Sequence, residues 1–420
     1  MAWETQIVVT GIGLISALGN LESTWYSLLE GKSGISWYQP FPELASQPLG
    51  LVGDIPTSLE KLTELVVSDS LQDAGLSKPM ADCGVVIGSS RGSQATWEQL
   101  ARGLGARELL CKVLGEKVHL NAQIIDSISE KFSPLLPPPI PLSTFPIAGL
   151  GDWLDTLPHQ AALSVARQIG TSGPVLAPMA ACATGIWALA RGFELIQTGQ
   201  CQQVLAGAVE APITQLTLAG FDKMGALATT GSYPFDQNRE GLVLGEGAAI
   251  LVLESAKLAL SRGVPIYGQL LGFGLSCDAH RVSAPHPEQR SAIAAVKQCL
   301  NRSHISTAQI DYIHAHGTAT KLNDYYEAQL IKNLFPQGVA VSSTKGSTGH
   351  TLGASGALGA AFCLMALKNQ RLPPCVGNKQ PEFDLDLVRV SRQRKIRRLL
   401  CLSFGFGGQN AVAAISSVAT

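Results

Sequence analysis

Three residues of the 420-residue chain stand where chemistry could be done: Cys182, His316 and His350. Cys182 lies in M-A-A-C-A-T-G-I-W-A-L-A, where an apolar strand ends and a helix of small residues begins. Its sulfur is expected to meet the unpaired N–H groups of a helix N-terminus, a position that lowers a thiol pKa and favours the thiolate. Ala181, Ala183 and Gly185 are the small neighbours that a nucleophile on a tight turn needs if an acyl group is to reach it. His316, in I-H-A-H-G-T-A-T, ends an apolar strand just before Gly317, at the strand edge where sites of α/β proteins gather. His314, two residues earlier, points to the opposite face of that strand and is expected to be structural. His350, in T-K-G-S-T-G-H-T-L-G-A-S-G, stands at another strand-to-helix junction, where the positive helix end disfavours imidazolium. A neutral ring there still donates through its N–H.

The elements that must position these residues are legible as alternating short apolar runs and helical stretches. QIVVTGIG, CGVVIGSS, QVLAGAVE, AAILVLES, DYIHAHGT and LLCLSFGF read as strands and SAIAAVKQCL as a helix, the pattern of an α/β protein. The pattern pauses after AAILVLES and begins again, which divides the chain into halves of residues 1–255 and 256–420. PVLAPMAACATGIWALARGF and VAVSSTKGSTGHTLGASGALGAAF are each a strand, a reactive polar residue and a small-residue helix, so an internal duplication is expected. Residues 133–146 hold six prolines and are expected to form a long ordered loop.

Composition excludes several classes. Lys plus Arg is 31 against 32 Asp plus Glu, so a net charge of -1 supplies no field for nucleic acid or an anionic membrane. Only 15% of residues are charged and 43 are glycine, as expected when elements are buried on both faces and pack closely. Nine scattered cysteines without a C-x-x-C pair argue against a disulfide framework or a zinc site. The N-terminal residues show no basic, then apolar, leader, and a cytoplasmic protein is expected. Two uncharged windows, residues 173–190 and 346–367, approach membrane-span length but mix Pro or His with Thr, Ser and Gly. They read as strand, turn and buried helix rather than as membrane spans.

Taken together, A-C-A-T-G, PFDQNREGLVLGEGAA, H-G-T-A-T-K-L-N-D, S-S-T-K-G-S-T-G-H and S-F-G-F-G-G-Q-N, in that order, resemble the motifs of the β-ketoacyl-acyl carrier protein synthases, particularly the elongating type II enzymes. The opening VVTGIGLISALGN resembles the family's first strand and loop, and the region between residues 101 and 158 fits worst. The resemblance implies a thiolase-like layered αβαβα fold of two duplicated halves with mixed five-stranded sheets. It implies that Cys182 takes an acyl chain from a carrier-protein thioester, that malonyl-carrier protein is decarboxylated, and that the Nε–H groups of His316 and His350 stabilise the enolate. A second oxyanion hole would come from the backbone N–H groups of Cys182 and Phe406. Lys345 and Glu327 would support the histidine site, Thr318 and Thr320 would bind the pantetheine arm, and Phe406 would gate the acyl pocket. No resident cofactor or metal is implied, because substrates ride on the phosphopantetheine of the acyl carrier protein. A homodimer built through the N-terminal half is implied as well.

Departures are local. Leu242 stands where the family usually has Phe, Arg281 where a histidine is common, and Met179-Ala180-Ala181 replaces a threonine-containing lead. The early segment PTSLEKLTEL keeps Lys61 as its basic residue, and the six basic residues within 389–398 are expected to be a solvated edge rather than a carrier-docking patch. Two competing readings remain. A non-catalytic partner subunit that sets chain length typically lacks the nucleophile, whereas this chain retains it. A thiolase needs a second reactive cysteine in a C-terminal glycine-rich turn, where Cys363, Cys375 and Cys401 are not suitably placed.

Overall fold

The computed structural model describes residues 6–103 and 153–418. The proline-rich stretch at 133–146 lies outside the described residues. Two compact units are present, one made of Met1–Gly92 with Pro158–Thr420 and the other of Ser93–Leu157. Within the smaller unit the Ser93 N–H donates to the Thr156 carbonyl at 3.0 Å, and Trp97 meets Trp153 edge to face at 6.2 Å.

In the larger unit the strands along the path of the main sheet are β1 (Ile7–Ser16), β2 (Gly84–Gly88), β3 (Val175–Leu176), β4 (Gln203–Glu210), β5 (Gly247–Ser255), β6 (Gly268–Cys277), β7 (Tyr312–His314), β8 (Ala340–Ser342), β9 (Asp386–Leu387), β10 (Arg398–Gly405) and β11 (Gln409–Ser416). Side by side they run β9-β8-β7-β10-β11-β6-β1-β5-β4-β2-β3. The first five and the later ones repeat one plan. In each half the first strand pairs antiparallel with the last, the last antiparallel with the one before it, and that one parallel with the second. The third strand then adds in parallel outside the second. Where two separate five-stranded sheets are expected, β1 and β6 pair at Ile7↔Leu270, Val8↔Gln269 and Val9↔Gly268, and one continuous sheet results; with the short Gly19–Asn20 segment that also pairs with β1 it holds twelve strands among the described residues.

The helices that build the layers are α1 (Leu59–Asp73), α2 (Gln160–Ile169), α3 (Thr184–Gln197), α4 (Gln215–Lys223), α5 (Arg290–Arg302), α6 (Lys321–Leu334) and α7 (Ser355–Asn369). Strand residues are apolar on both faces because helices cover both. On β4, Val204, Ala206 and Ala208 face the core around α3 and α7, while Leu205 and Val209 face the core under α1 and α2. A third core lies under α5 and α6. The two halves of the continuous sheet form two layers with α3 and α7 packed between them, α1 and α2 outside one and α5 and α6 outside the other, which is the thiolase-like αβαβα arrangement.

The central pair crosses at close range because its first turns are made of small residues. A Cβ on Gly185 would lie 2.4 Å from the Ala357 backbone nitrogen, and one on Gly356 would lie 2.8 Å from Ile186 Cγ1. The segment Leu352–Asn369 is long and apolar enough to cross a membrane, yet 89% of it is buried inside the protein. An apolar surface on all sides is what a helix between two sheets requires.

Candidate active site

Cys182 and His350 occupy related places in the two halves, each between the third strand and the central helix that follows it. Ala181 has a φ of 47°, a left-handed conformation that turns the chain sharply before Cys182. The turn is fixed by Thr184, whose hydroxyl donates to the Ala181 carbonyl at 2.6 Å and accepts from the Ala180 N–H at 2.9 Å. Ser403 on β10 donates to the Cys182 carbonyl at 2.9 Å. Other residues with positive φ also cluster here: Ala279 beside Asp278, Ala319 between the two threonines, and Leu352 just beyond His350. Backbone strain of this kind gathers at functional sites.

His316 sits two residues past β7, and its peptide is gripped from both ends. Its N–H donates to Glu327 Oε1 at 2.7 Å, the Gly317 N–H donates to the other carboxylate oxygen at 2.7 Å, and Lys345 Nζ donates to the His316 carbonyl. Gly317 has a φ of 39°, and a Cβ there would meet Ser343 Cβ at 2.5 Å, so only glycine fits. His350 is held by its N–H to the Val243 carbonyl at 2.6 Å, and its Nδ1 lies 2.8 Å from the Ser355 hydroxyl. The two rings stand edge to face with centroids 5.3 Å apart. The Cys182 sulfur and a nitrogen from each ring all lie within 4.8 Å of one another.

These groups open on a cavity of about 660 Å³. Leu242, Thr318, Thr320, Phe404 and Phe406 line it. The Thr318 and Thr320 hydroxyls lie 2.9 Å apart. Phe406 stacks on Phe221 of α4 with ring centroids 6.0 Å apart, on a loop where Gly407 takes a φ of 78°. The Phe406 N–H lies near enough to favour a Cys182 thiolate, and a Cβ on Gly405 would come 3.0 Å from the Cys182 nitrogen, so the two amides expected to form an oxyanion hole adjoin. His314 faces away, with Nε2 3.2 Å from the Thr344 hydroxyl and Nδ1 4.0 Å from the Cys401 sulfur.

Electrostatics correct one expectation. Burial pushes the Cys182 thiol up to about 11, and the Lys345 charge and the Phe406 N–H offset it only in part. The helix N-terminus is where the sequence places it, but the sulfur is buried, and removal from water dominates the helix field. The resting group is therefore a thiol. Both imidazoles behave as expected: burial first, then the Lys345 charge, holds His316 and His350 well below the ordinary histidine value, so both are neutral. Burial likewise raises Glu327 and lowers Lys345, each partly restrained by the other's charge. A raised thiol pKa sets a rate. Alkylation of Cys182 by iodoacetamide should climb about tenfold per pH unit from neutrality and level only near 11. Peptide mass spectrometry after timed labelling measures this, and a plateau at pH 8 would contradict it.

One positioning residue was not singled out in the sequence. Arg239, inside PFDQNREG, is buried; it donates to the carbonyls of Thr320 and Lys321 and pairs with Glu382. Its Nε also lies 3.8 Å from Asp324 Oδ2. Flanked by Asp236, Gln237, Asn238 and Glu240, Arg239 sits in a polar stretch that reads as a solvated turn, so nothing local announces its burial. Ser355 is a second such residue. Nothing in its spacing from His350 announces a contact with the ring.

A buried thiol, two neutral imidazoles and two backbone amides around one cavity define a site for acyl transfer through sulfur with stabilisation of oxyanions. Residues 146–259 match the description "Beta-ketoacyl synthase, N-terminal domain" and residues 267–379 "Beta-ketoacyl synthase, C-terminal domain". The chain belongs to the β-ketoacyl synthase family, the condensing acyltransferases. It is 31% identical to 3-oxoacyl-[acyl-carrier-protein] synthase 2 of Staphylococcus aureus (strain COL), over 98% of both chains. It is 33% identical to the enzyme of the same name from Synechocystis sp., again over 98% of both. Among solved structures, a type II PKS ketosynthase with its acyl-carrier protein, bound to the hexaketide, superposes with a TM-score of 0.82 at 27% identity, covering 99% of this chain and 100% of that one. The ishigamide ketosynthase/chain length factor superposes with a TM-score of 0.83 at 25% identity and the same coverage.

Proposed function

We propose that the chain is a 3-oxoacyl-[acyl-carrier-protein] synthase that elongates an acyl chain held on Cys182 by decarboxylative condensation with malonyl-carrier protein. The observation that carries this reading is the convergence of the Cys182 sulfur and the His316 and His350 nitrogens within 4.8 Å on one cavity. Cys182 attacks the incoming thioester, its proton leaving with the departing carrier thiol, and the backbone amides of Cys182 and Phe406 receive the oxyanion. Malonyl-carrier protein then loses CO₂, and the Nε–H groups of the two neutral imidazoles take the charge on the enolate oxygen. The enolate carbon attacks the Cys182 thioester, releasing the thiolate and a chain two carbons longer. Neutral rings suit this role, because a donor that keeps its proton stabilises charge without transferring it.

Lys345 and Glu327 support the reaction by fixing the His316 peptide, and Thr318 and Thr320 offer hydroxyls to the pantetheine amides. The partner is an acyl carrier protein. The basic run at 389–398 does not serve it: that run leads into the start of β10, and Gly405 at the other end of the strand lines the cavity, roughly 24 Å away at about 3.4 Å per residue. Arg392 and Arg394 are also engaged by Asp386. Arg281, exposed and lining the cavity, is the better contact for an acidic carrier. The chain acts in the cytoplasm, without a resident cofactor, as a homodimer joined at the β3 edge. Among the described residues that edge ends the sheet and leaves Leu176 39% and Met179 64% exposed. Sedimentation should show a species of two chains; a single-chain mass at micromolar concentration would refute the dimer.

A chain-length partner subunit remains the alternative because such a subunit accompanies a ketosynthase among the structural neighbours. Retention of Cys182, His316, Lys345 and His350 in one buried cluster favours catalysis. The deciding experiment incubates the protein with acyl-carrier proteins of several lengths and then with malonyl-carrier protein. Acyl mass should appear on Cys182 and leave as a 3-oxoacyl product two carbons longer. Uptake without extension would support the partner-subunit reading instead.

A further inference from the structure

We infer that Cys182, His316 and His350 also form a binding site for a borderline-soft divalent cation, zinc being the reference case, whose occupation reversibly blocks the nucleophile. The consequence for activity rests on the function proposed above; the site itself rests on geometry. One sulfur and two imidazole nitrogens lie within 4.8 Å of one another, all three residues are buried, and no other group of three such donors is found among the described residues. A tetrahedral zinc with Zn–S of about 2.3 Å and Zn–N of about 2.0 Å needs its donors roughly 3.5 Å apart, so shifts of about 1 Å or less suffice. The fourth position faces the cavity, open to water or to a substrate oxygen.

The surroundings permit both uses of the rings. The Ser355 hydroxyl, 2.8 Å from His350 Nδ1, can donate to that nitrogen when Nε2 carries the proton for catalysis. It can equally accept from Nδ1–H, which frees the Nε2 lone pair for a metal. His316 Nδ1 is buried without any hydrogen-bond partner, so nothing fixes that ring to a single tautomer. On binding, the cation replaces the thiol proton, which leaves to solvent, and no electron moves. Two features limit affinity: the Lys345 ammonium, bonded to the His316 carbonyl, repels a dication, and His316 lacks the outer-shell acceptor that strengthens most metal-bound histidines.

Cobalt(II) added to the full-length chain tests this by a readout independent of turnover. The expected result is a tetrahedral visible spectrum with a thiolate-to-cobalt charge-transfer band, both displaced by zinc. Cys182→Ser should abolish the charge-transfer band, Ser355→Ala should weaken binding roughly tenfold or more, and prior acylation of Cys182 should prevent it. An absent tetrahedral spectrum, or a charge-transfer band that survives Cys182→Ser, overturns the site. Condensation by a chain that fails to bind cobalt removes this inference and leaves the proposed function standing. Cobalt binding by a chain that never condenses does the opposite.

Discussion

Cys182→Ala should gain no acyl mass from any acyl-carrier protein, yet should still release CO₂ from malonyl-carrier protein. His350→Ala should show the reverse. The crossed pattern follows from the division of labour in the cavity: the sulfur is needed only to hold the acyl chain, and the rings only to receive the enolate charge. Removing one donor aimed at developing charge slows such a step by roughly 10²–10³-fold, or about 2.7–4 kcal/mol. His316→Ala should fall in the same range, with some further loss where its peptide relaxes from Glu327 and Lys345. Condensation needs both halves of the site and should vanish in Cys182→Ala while persisting weakly in the histidine variants. Intact-protein mass and CO₂ release, measured on the same preparations, separate the two steps. Decarboxylation at the wild-type rate by His350→Ala would remove the ring from the mechanism.

The second large effect belongs to a residue with no side chain. Gly185→Ala should lower the melting temperature and cut condensation more deeply than decarboxylation. Its Cβ would lie 2.4 Å from the Ala357 nitrogen and 3.0 Å from the Ala357 Cβ, and backbone cannot yield as a flexible side chain does. Forcing that contact costs about 1–3 kcal/mol in a close-packed core, because the helices must part. Cys182 precedes α3 and His350 precedes α7, so parting the helices separates sulfur from imidazole. Decarboxylation, which uses the two rings and not the sulfur, should suffer less. Equal losses in both steps would show that the substitution merely unfolds the protein, and thermal melts alongside the assays distinguish the cases.

Most of the site was readable because its parts are local. The strands before Cys182, His316 and His350 are short apolar runs, the turns after them are small or glycine, and the motif order carries the rest. Leu242, Thr318, Thr320 and Phe406 line the cavity as the resemblance implies. What could not be read depends on residues far apart in the chain. The thiol pKa turns on burial by the Leu49, Leu218, Phe221 and Leu242 cluster, which comes from three separate segments. Continuity of the sheet depends on β6 meeting β1, and β6 (GQLLGFGLSC) carries too many glycines to stand out as a strand. The grip of Arg239 on the threonine loop spans 81 residues.

The opposed charges that clamp the His316 peptide have a consequence for how this sequence can drift. Lys345 and Glu327 hold the same peptide from opposite sides without a direct ion pair, and each charge restrains the shift that burial imposes on the other, so losing either alone leaves the other less supported in a dry interior. The two sites are thus epistatic. Lineages should exchange them jointly or not at all, and a double-mutant cycle should return a coupling energy larger than either residue's exposure would suggest.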